Sequence, residues 1–274
     1  MSLELVTALE ALLVCFAVGV TTQKARILNR SGLLAAVLVG WPIFVFGGWQ
    51  WFAILLIFLV SSAIFTKYKY DVKSSMETIQ EKNGLRSWRN VIANGGIATA
   101  FALLRFYSSS GIILAGFVGA MSTALADTLA TEIGLISPDA PRLITSLKKK
   151  IPAGTSGGVS GLGFMAAILG AAVIWFSSIL LGIWPASLGD PLASLAVVGV
   201  GGISGSVFDS VLGATIQGSY GCRVCNRKTE KAIHCGERGT LLKGFAVINN
   251  NVVNLLGTLF GALMSVSIYL ILIL

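Results

Sequence analysis

The chain has 274 residues and a net charge of +8, with 55% hydrophobic and only 12% charged residues. A soluble domain carries about 25% charged residues, so this composition excludes a single soluble globule and predicts an all-α, polytopic membrane helix bundle. It also removes nucleic acid as the reason for the positive charge, because in such a protein Lys and Arg in the loops set orientation.

Eight apolar stretches approach the roughly 20 residues that a bilayer crossing needs. They cover about 4–22, 31–47, 49–66, 90–107, 111–133, 157–183, 192–217 and 247–273. Before the first lies no basic segment, and Glu4 and Glu10 are its only charges, so it reads as a membrane helix rather than a signal peptide. The second and third are separated only by Gly47-Gly48, where Trp41, Pro42, Trp49 and Trp51 mark an interfacial turn.

The basic residues follow the odd-numbered stretches. Lys24, Arg26 and Arg30 come after the first, and Lys67, Lys69, Lys73, Lys82, Arg86 and Arg89 after the third. Arg142 and Lys148 to Lys150 come after the fifth, and Arg223, Arg227, Lys228, Lys231, Arg238 and Lys243 after the seventh. Eight spans therefore place 19 of the 20 Lys and Arg on one side, which the positive-inside rule makes cytoplasmic, with both termini outside. Arg105 is the remaining one, near the outer end of the fourth span, where its side chain can snorkel. No internal repeat stands out, and residues 1–274 read as one transmembrane domain. Its cytoplasmic loops, about 67–89, 134–156 and 218–246, are long enough to cover something on that face.

Charged side chains inside a span are costly and default to function. Asp127, in ALADTLATEIG, and Asp209 lie late in spans five and seven, which run inward. Asn94, and Asn250, Asn251 and Asn254, lie early in spans four and eight, which run outward. Four helices thus bring polar groups to one depth near the cytoplasm. Asp127 and Thr131, Gly205, Asp209, Gly213 and Gln217, and Asn250, Asn254, Gly257 and Gly261 recur at three- or four-residue spacing, so each set shares a face. Thr131, Ser206 and Gln217 join the polar lining. The bland reading of the Asn and Gln residues is interhelical glue. Glu132 is harder to place: five residues from Asp127 it points about 140° away on an ideal helix, unless the helix ends or bends between them.

KKKIPAGTSGGVSGLG, from Lys148 to Gly163, leads three lysines into Gly154, Thr155, Gly157 and Gly158, which are expected to open span six. A helix N-terminus with close-approaching glycine backbone suits a phosphate. The lysines precede the glycines, unlike a Walker A loop, and a polybasic anchor before a glycine-rich packing face is the competing reading. Acids suited to a hard cation then lie level with an anion cradle. Mg²⁺ takes one or two carboxylates plus substrate phosphates, so the pair reads as a phosphoryl- or nucleotidyl-transfer site. In the last loop, Cys222, Cys225, His234 and Cys235 offer four zinc ligands, with free thiols or a disulfide as alternatives.

ALADTLATEIG, PAGTSGGVSGLG, GSVFDSVLGATIQG, INNNVVNLLG and RNVIANGG together resemble the integral-membrane family that includes transmembrane protein 19 and plant phytyl-phosphate kinase. The resemblance covers roughly residues 30–265. More distantly, the chain resembles CTP-dependent polyprenol kinases and CDP-lipid synthases. The family resemblance implies transfer of a phosphoryl group from CTP or another nucleoside triphosphate to an isoprenyl monophosphate, with Mg²⁺. It implies Asp127, Glu132 and Asp209 as acidic, metal-binding positions, Gly154, Thr155, Gly157 and Gly158 as the phosphate segment, and Asn94, Asn250 and Asn254 as polar motif positions. Lys148, Lys149 and Lys150 are expected to meet the nucleotide. A CTP-dependent prenol kinase, a CDP-lipid cytidylyltransferase and an ion-coupled transporter are the rivals. Transport sites usually lie near the midplane rather than at one face. In a prokaryote the location is the cell membrane.

Overall fold

The computed structural model describes residues 3–74, 84–185 and 190–274; Lys82, counted among the loop cations, lies outside them. The helices are α1 (Leu3–Lys24), α2 (Arg30–Lys67), α3 (Tyr70–Ser74), α4 (Trp88–Leu104), α5 (Gly111–Gly134), α6 (Gly161–Leu180), α7 (Pro191–Thr215) and α8 (Asn250–Ile273). Six of them, all but α3 and α4, are long and apolar enough to cross a membrane.

At 38 residues α2 would extend about 57 Å, nearly twice the bilayer core. It does not, because Gly48 has φ 79° and ψ 175°. That backbone breaks a helix, and glycine adopts it without a Cβ penalty. In a straight helix Gly40 and Phe52 would stand about 18 Å apart along the axis. Here a methyl group on Gly40 would fall 3.1 Å from the Phe52 ring, and the Phe44 and Phe52 rings lie 5.3 Å apart. α2 is therefore a helical hairpin. Its start and end share one side, where Lys67 Nζ donates to the Ala25 carbonyl over 2.6 Å. With two arms in α2, and the apolar 17-residue α4, all eight stretches expected from the sequence are helical.

The core centres on α5, which packs against α2, α4, α6, α7 and α8. Every residue from Ile113 to Ala126 is buried, as expected of a helix apolar on all sides. Small residues let the neighbours close in: a methyl on Gly205 would fall 2.3 Å from Thr123 Oγ1, and one on Gly261 would fall 1.9 Å from it. Hydroxyls stitch the seam. Ser122 Oγ donates to the Val198 carbonyl (2.9 Å), Thr123 Oγ1 to Gly201 (3.0 Å) and Ser265 Oγ to Val197 (2.8 Å).

Arg105, the lone cation at the other end, lies over the Trp51 ring at 5.0 Å, and Trp51 stacks on Phe117 at 4.1 Å. It is thus held in a cation–π contact at the end of α4.

The all-α expectation holds for the bundle but not for its loops. Between α5 and α6, β1 (Arg142–Leu143), β2 (Ser146–Lys150) and β3 (Gly158–Val159) form an antiparallel sheet in the order β2-β1-β3. Between α7 and α8, β4 (Ser219–Gly221), β5 (Lys228–Thr229) and β8 (Thr240–Lys243) form a second sheet, and β6 (Ile233–His234) with β7 (Glu237–Arg238) forms a separate hairpin. These strands are too short for period-two patterning to reveal them in the sequence.

Candidate functional site

The polar residues of α4, α5, α7 and α8 meet in one cavity of about 300 Å³. It lies at the end of the bundle where both hairpin caps sit. Asp127, Asp209, Asn94, Thr131, Ser206, Gln217, Asn250 and Asn254 all line it, as do Gly154, Thr155, Gly157 and Gly158. The convergence expected from helix direction is thus a physical space.

The two aspartates are held by different neighbours. Ser206 Oγ donates to Asp127 Oδ1 over 3.3 Å, from the facing helix α7. Asn254, with its amide turned to satisfy both groups, donates to Asp209 Oδ2 (3.2 Å) and to the Asn250 carbonyl (2.8 Å). Asp209 lies near enough to the Asp127 and Glu230 carboxylates to feel the charge of each. Carboxylates grouped in this way are able to hold a cation. Asn249 sets the start of α8 by accepting from the N–H groups of Asn251 and Val252, which brings Asn250 and Asn254 to the same face.

Glu132 borders the cavity, but the structure does not pair it with the aspartates. α5 runs unbroken to Gly134, so the 140° divergence stands. Its carboxylate receives Lys73 Nζ at 2.5 Å. Lys73 is 1% exposed and spends its other two donors on the Phe65 and Thr66 carbonyls, at 2.7 and 2.9 Å. These are orphan carbonyls at the end of α2, where a cation is favoured. Glu132 thus ties α5 to the α2 end through its ion pair with the buried Lys73.

The glycine segment also differs from expectation. α6 begins at Gly161, not at Gly157, and Ser160 caps it by accepting from the Gly163 N–H. The cradle is a turn leading into β3, not a helix N-terminus. Gly154 and Gly157 have φ of 79° and 75°. Gly157 also abuts α7 so closely that a methyl there would lie 2.4 Å from the Ala214 Cβ. Only glycine meets both conditions.

Lys148, Lys149 and Lys150 are not in the cavity. They lie on β2, exposed along its whole length. The basic side chain that does line it, alone among the described residues, is Arg86. Its Nη1 donates to Ser62 Oγ over 2.9 Å. Sequence reasoning missed Arg86, Asn90 and Glu230. Asn90 had a signal, because it precedes Asn94 by one helical turn. Glu230 had none, since a loop carboxylate carries no periodicity. It reaches the cavity through the second cap, where Ser156 Oγ donates to its Oε1.

Gln217 adds a free donor. It is 3% exposed, lines the cavity, and its Nε2 has no hydrogen-bond partner among the described residues. An unmet buried donor costs about 1–3 kcal/mol, which a ligand oxygen would recover. The cysteine group lies outside the cavity lining. There the Cys225 backbone N–H and then His234 bond to Cys222 and draw its thiol down to about 6.

The chain has recognisable relatives among known proteins. The chain is 29% identical to Protein PGR of Arabidopsis thaliana, over 93% of both chains. It is 26% identical to Uncharacterized membrane protein MJ0933 of Methanocaldococcus jannaschii, over 94% of this chain and 93% of that one. Protein VTE6, chloroplastic, of Arabidopsis thaliana is 25% identical over 87% of this chain and 64% of its own length. No solved structure matches significantly. The family described as integral membrane protein DUF92 matches residues 13–262. With the helical bundle and the motif-bearing cavity, this match shows that the chain belongs to the DUF92 integral membrane protein family.

Proposed function

We propose that the protein is a Mg²⁺-dependent prenyl-phosphate kinase that moves the γ-phosphoryl group of CTP, or another nucleoside triphosphate, to an isoprenyl monophosphate. The observation that carries this reading is the shared cavity: two helix-borne aspartates, a glycine turn, Arg86 and the unpaired Gln217 amide face one space at one end of a membrane bundle. The motif resemblance to phytyl-phosphate kinase supports the prenyl phosphate class.

The donor set fits Mg²⁺, which takes carboxylate oxygens together with substrate phosphates. Asp127 and Asp209 would hold it, and when bound it would offset the charge of the phosphates. The chain's own residues do the rest. Ser206 and Asn254 fix the two carboxylates. The glycine turn lets phosphate oxygens approach backbone, while Arg86 and Gln217 supply donors. An oxygen of the prenyl phosphate attacks the γ-phosphorus, the bond to the bridging oxygen breaks, and the nucleoside diphosphate leaves. The acceptor is already anionic, so no strong general base is needed; the sole histidine, His234, does not line the cavity. Catalysis rests on positioning and electrostatics. A smaller apolar crevice of about 50 Å³ shares Arg86, Asn90 and Asn94 with the cavity and is otherwise lined by residues such as Leu28, Val39, Leu55 and Phe58. It gives the first part of a prenyl tail a path between α2 and α4. The positive-inside distribution supports a cytoplasmic cavity and outer termini.

Purified protein with Mg²⁺, γ-labelled CTP and a panel of prenyl alcohols and monophosphates tests the reading. Label in a prenyl diphosphate is the expected result. A CDP-lipid formed from α-labelled CTP would make the protein a cytidylyltransferase instead. No turnover with any pair, together with ion flux in liposomes, would overturn the enzyme reading.

A further inference from the structure

The cap between α7 and α8 holds four donor groups that the cavity chemistry leaves unused. Each of two hairpins carries a pair. The turn after β4 carries Cys222 and Cys225, while His234 ends β6 and Cys235 opens the turn to β7. All four donor atoms lie within 4.8 Å of one another. His234 Nδ1 is 3.5 Å from Cys225 Sγ and 3.2 Å from Cys235 Sγ. A tetrahedral zinc site with Zn–S near 2.3 Å and Zn–N near 2.0 Å has ligand-to-ligand edges of roughly 3.5–3.8 Å. The Cys225 N–H also points at Cys222 Sγ, at 3.5 Å.

The backbone is bent to make this grouping. His234 and Cys235 are adjacent, a spacing that leaves little freedom to meet at one point. Cys235 and Gly236 have φ of 53° and 80°, the two positive values of a type I′ hairpin turn. Asn or Asp then Gly is the usual pair there. A cysteine in left-handed backbone costs about 1–2 kcal/mol. Asn226, just past Cys225, has φ 57°. The strain at Cys235 is what a shared ligand would offset.

The cap also lacks a core of its own. Among residues 218–249 only Gly218, Tyr220 and Cys222 are buried, and no strand exceeds four residues. Units this small are commonly stapled by a metal. Yet the cap holds Glu230, midway between the two donor pairs, against Ser156 of the glycine turn and at the cavity.

We propose that Cys222, Cys225, His234 and Cys235 bind one structural zinc ion, and that this zinc cap positions Glu230 and the Gly154–Gly158 turn over the cavity. The first half stands independently of the kinase reading; the second rests on it only for the purpose of the cavity.

The test uses full-length protein in detergent, purified with zinc and without chelator. Elemental analysis is expected to give about one zinc per chain, and Cys222→Ser or Cys225→Ser to remove most of it. A chain whose thiols remain reduced and which carries less than ~0.1 zinc overturns the metal site. Should the serine variants fail to fold, stripping wild-type protein with a high-affinity chelator replaces them. Hydrogen exchange then reads the coupling. Zinc removal is expected to speed exchange in residues 219–243 and also in 153–158, across the Glu230–Ser156 contact. Faster exchange confined to 219–243 overturns the positioning role. Neither readout needs turnover, so failure here and failure of the kinase reading are told apart.

Discussion

The helical seam and the hairpin caps contribute to one cavity by opposite means. Asp127 and Asp209 project from helices packed closely against each other, where small residues and hydroxyl-to-carbonyl bonds fix the spacing. Glu230 and the glycine turn come from short strands with almost no core. Groups on rigid elements are placed by packing, which tolerates little change. Groups on caps are placed by a few polar contacts and backbone conformations, which can be removed singly. The two aspartates sit in the first region, and the glycine turn, the proposed phosphate cradle, sits in the second.

The largest expected effect probes the seam's chemistry without touching its packing. Asp127→Asn and Asp209→Asn should each lower phosphoryl transfer by about 10³-fold, because a lost metal ligand removes several kcal/mol of transition-state stabilisation. Thermal unfolding should barely move; near-normal activity in either variant would refute its metal role. Packing itself is tested by Gly261→Val, whose new carbon would fall on Thr123 Oγ1. Overpacking there should cost about 3 kcal/mol in unfolding measurements. Lys73→Met leaves Glu132 without its partner at a nearly closed site, and should also cost about 3 kcal/mol. Adding Glu132→Gln should recover more than half of that loss, a coupling that a double-mutant cycle reads directly.

On the cap side the effects should fall on binding. Gly157→Ala demands a left-handed backbone and clears no space beside Ala214. We expect nucleotide KM to rise about tenfold, together with a modest loss of stability from the strained turn. An unchanged KM would remove the turn from nucleotide binding. Smallest of all is Lys148→Ala: an exposed side chain on β2 should alter activity by less than about twofold. A large loss would show that the strand folds inward when nucleotide binds.

The same contrast explains what the sequence disclosed. Asp127, Asp209, Asn94 and Asn254 were legible because a polar group at helical spacing in an apolar span is conspicuous, and helix direction sets its depth. The geometric conflict between Asp127 and Glu132 was legible too, though not its resolution. Nothing in the sequence marks Lys73 as a buried residue rather than a solvated loop cation, because its burial depends on a five-residue helix folding under α2. Arg86 and Glu230 depend likewise on loop paths that carry no period. Lys148 to Lys150 misled for the converse reason. Charge next to glycine looks like a phosphate grip, yet β2 turns all three away from the cavity.

The hydroxyl seam has a mechanical consequence. Ser122, Thr123 and Ser265 each bond a carbonyl on α7, so α5 and α8 are both pinned to it in register. Sliding any of the three by one helical turn, about 5.4 Å, would break these interhelical bonds, leaving Thr123 only its bond to the Gly119 carbonyl of its own helix, in a medium that offers no water to replace them. The centre of the bundle behaves as a fixed post rather than a rocker. The cavity rests against this fixed seam, at the end of the bundle where both caps sit.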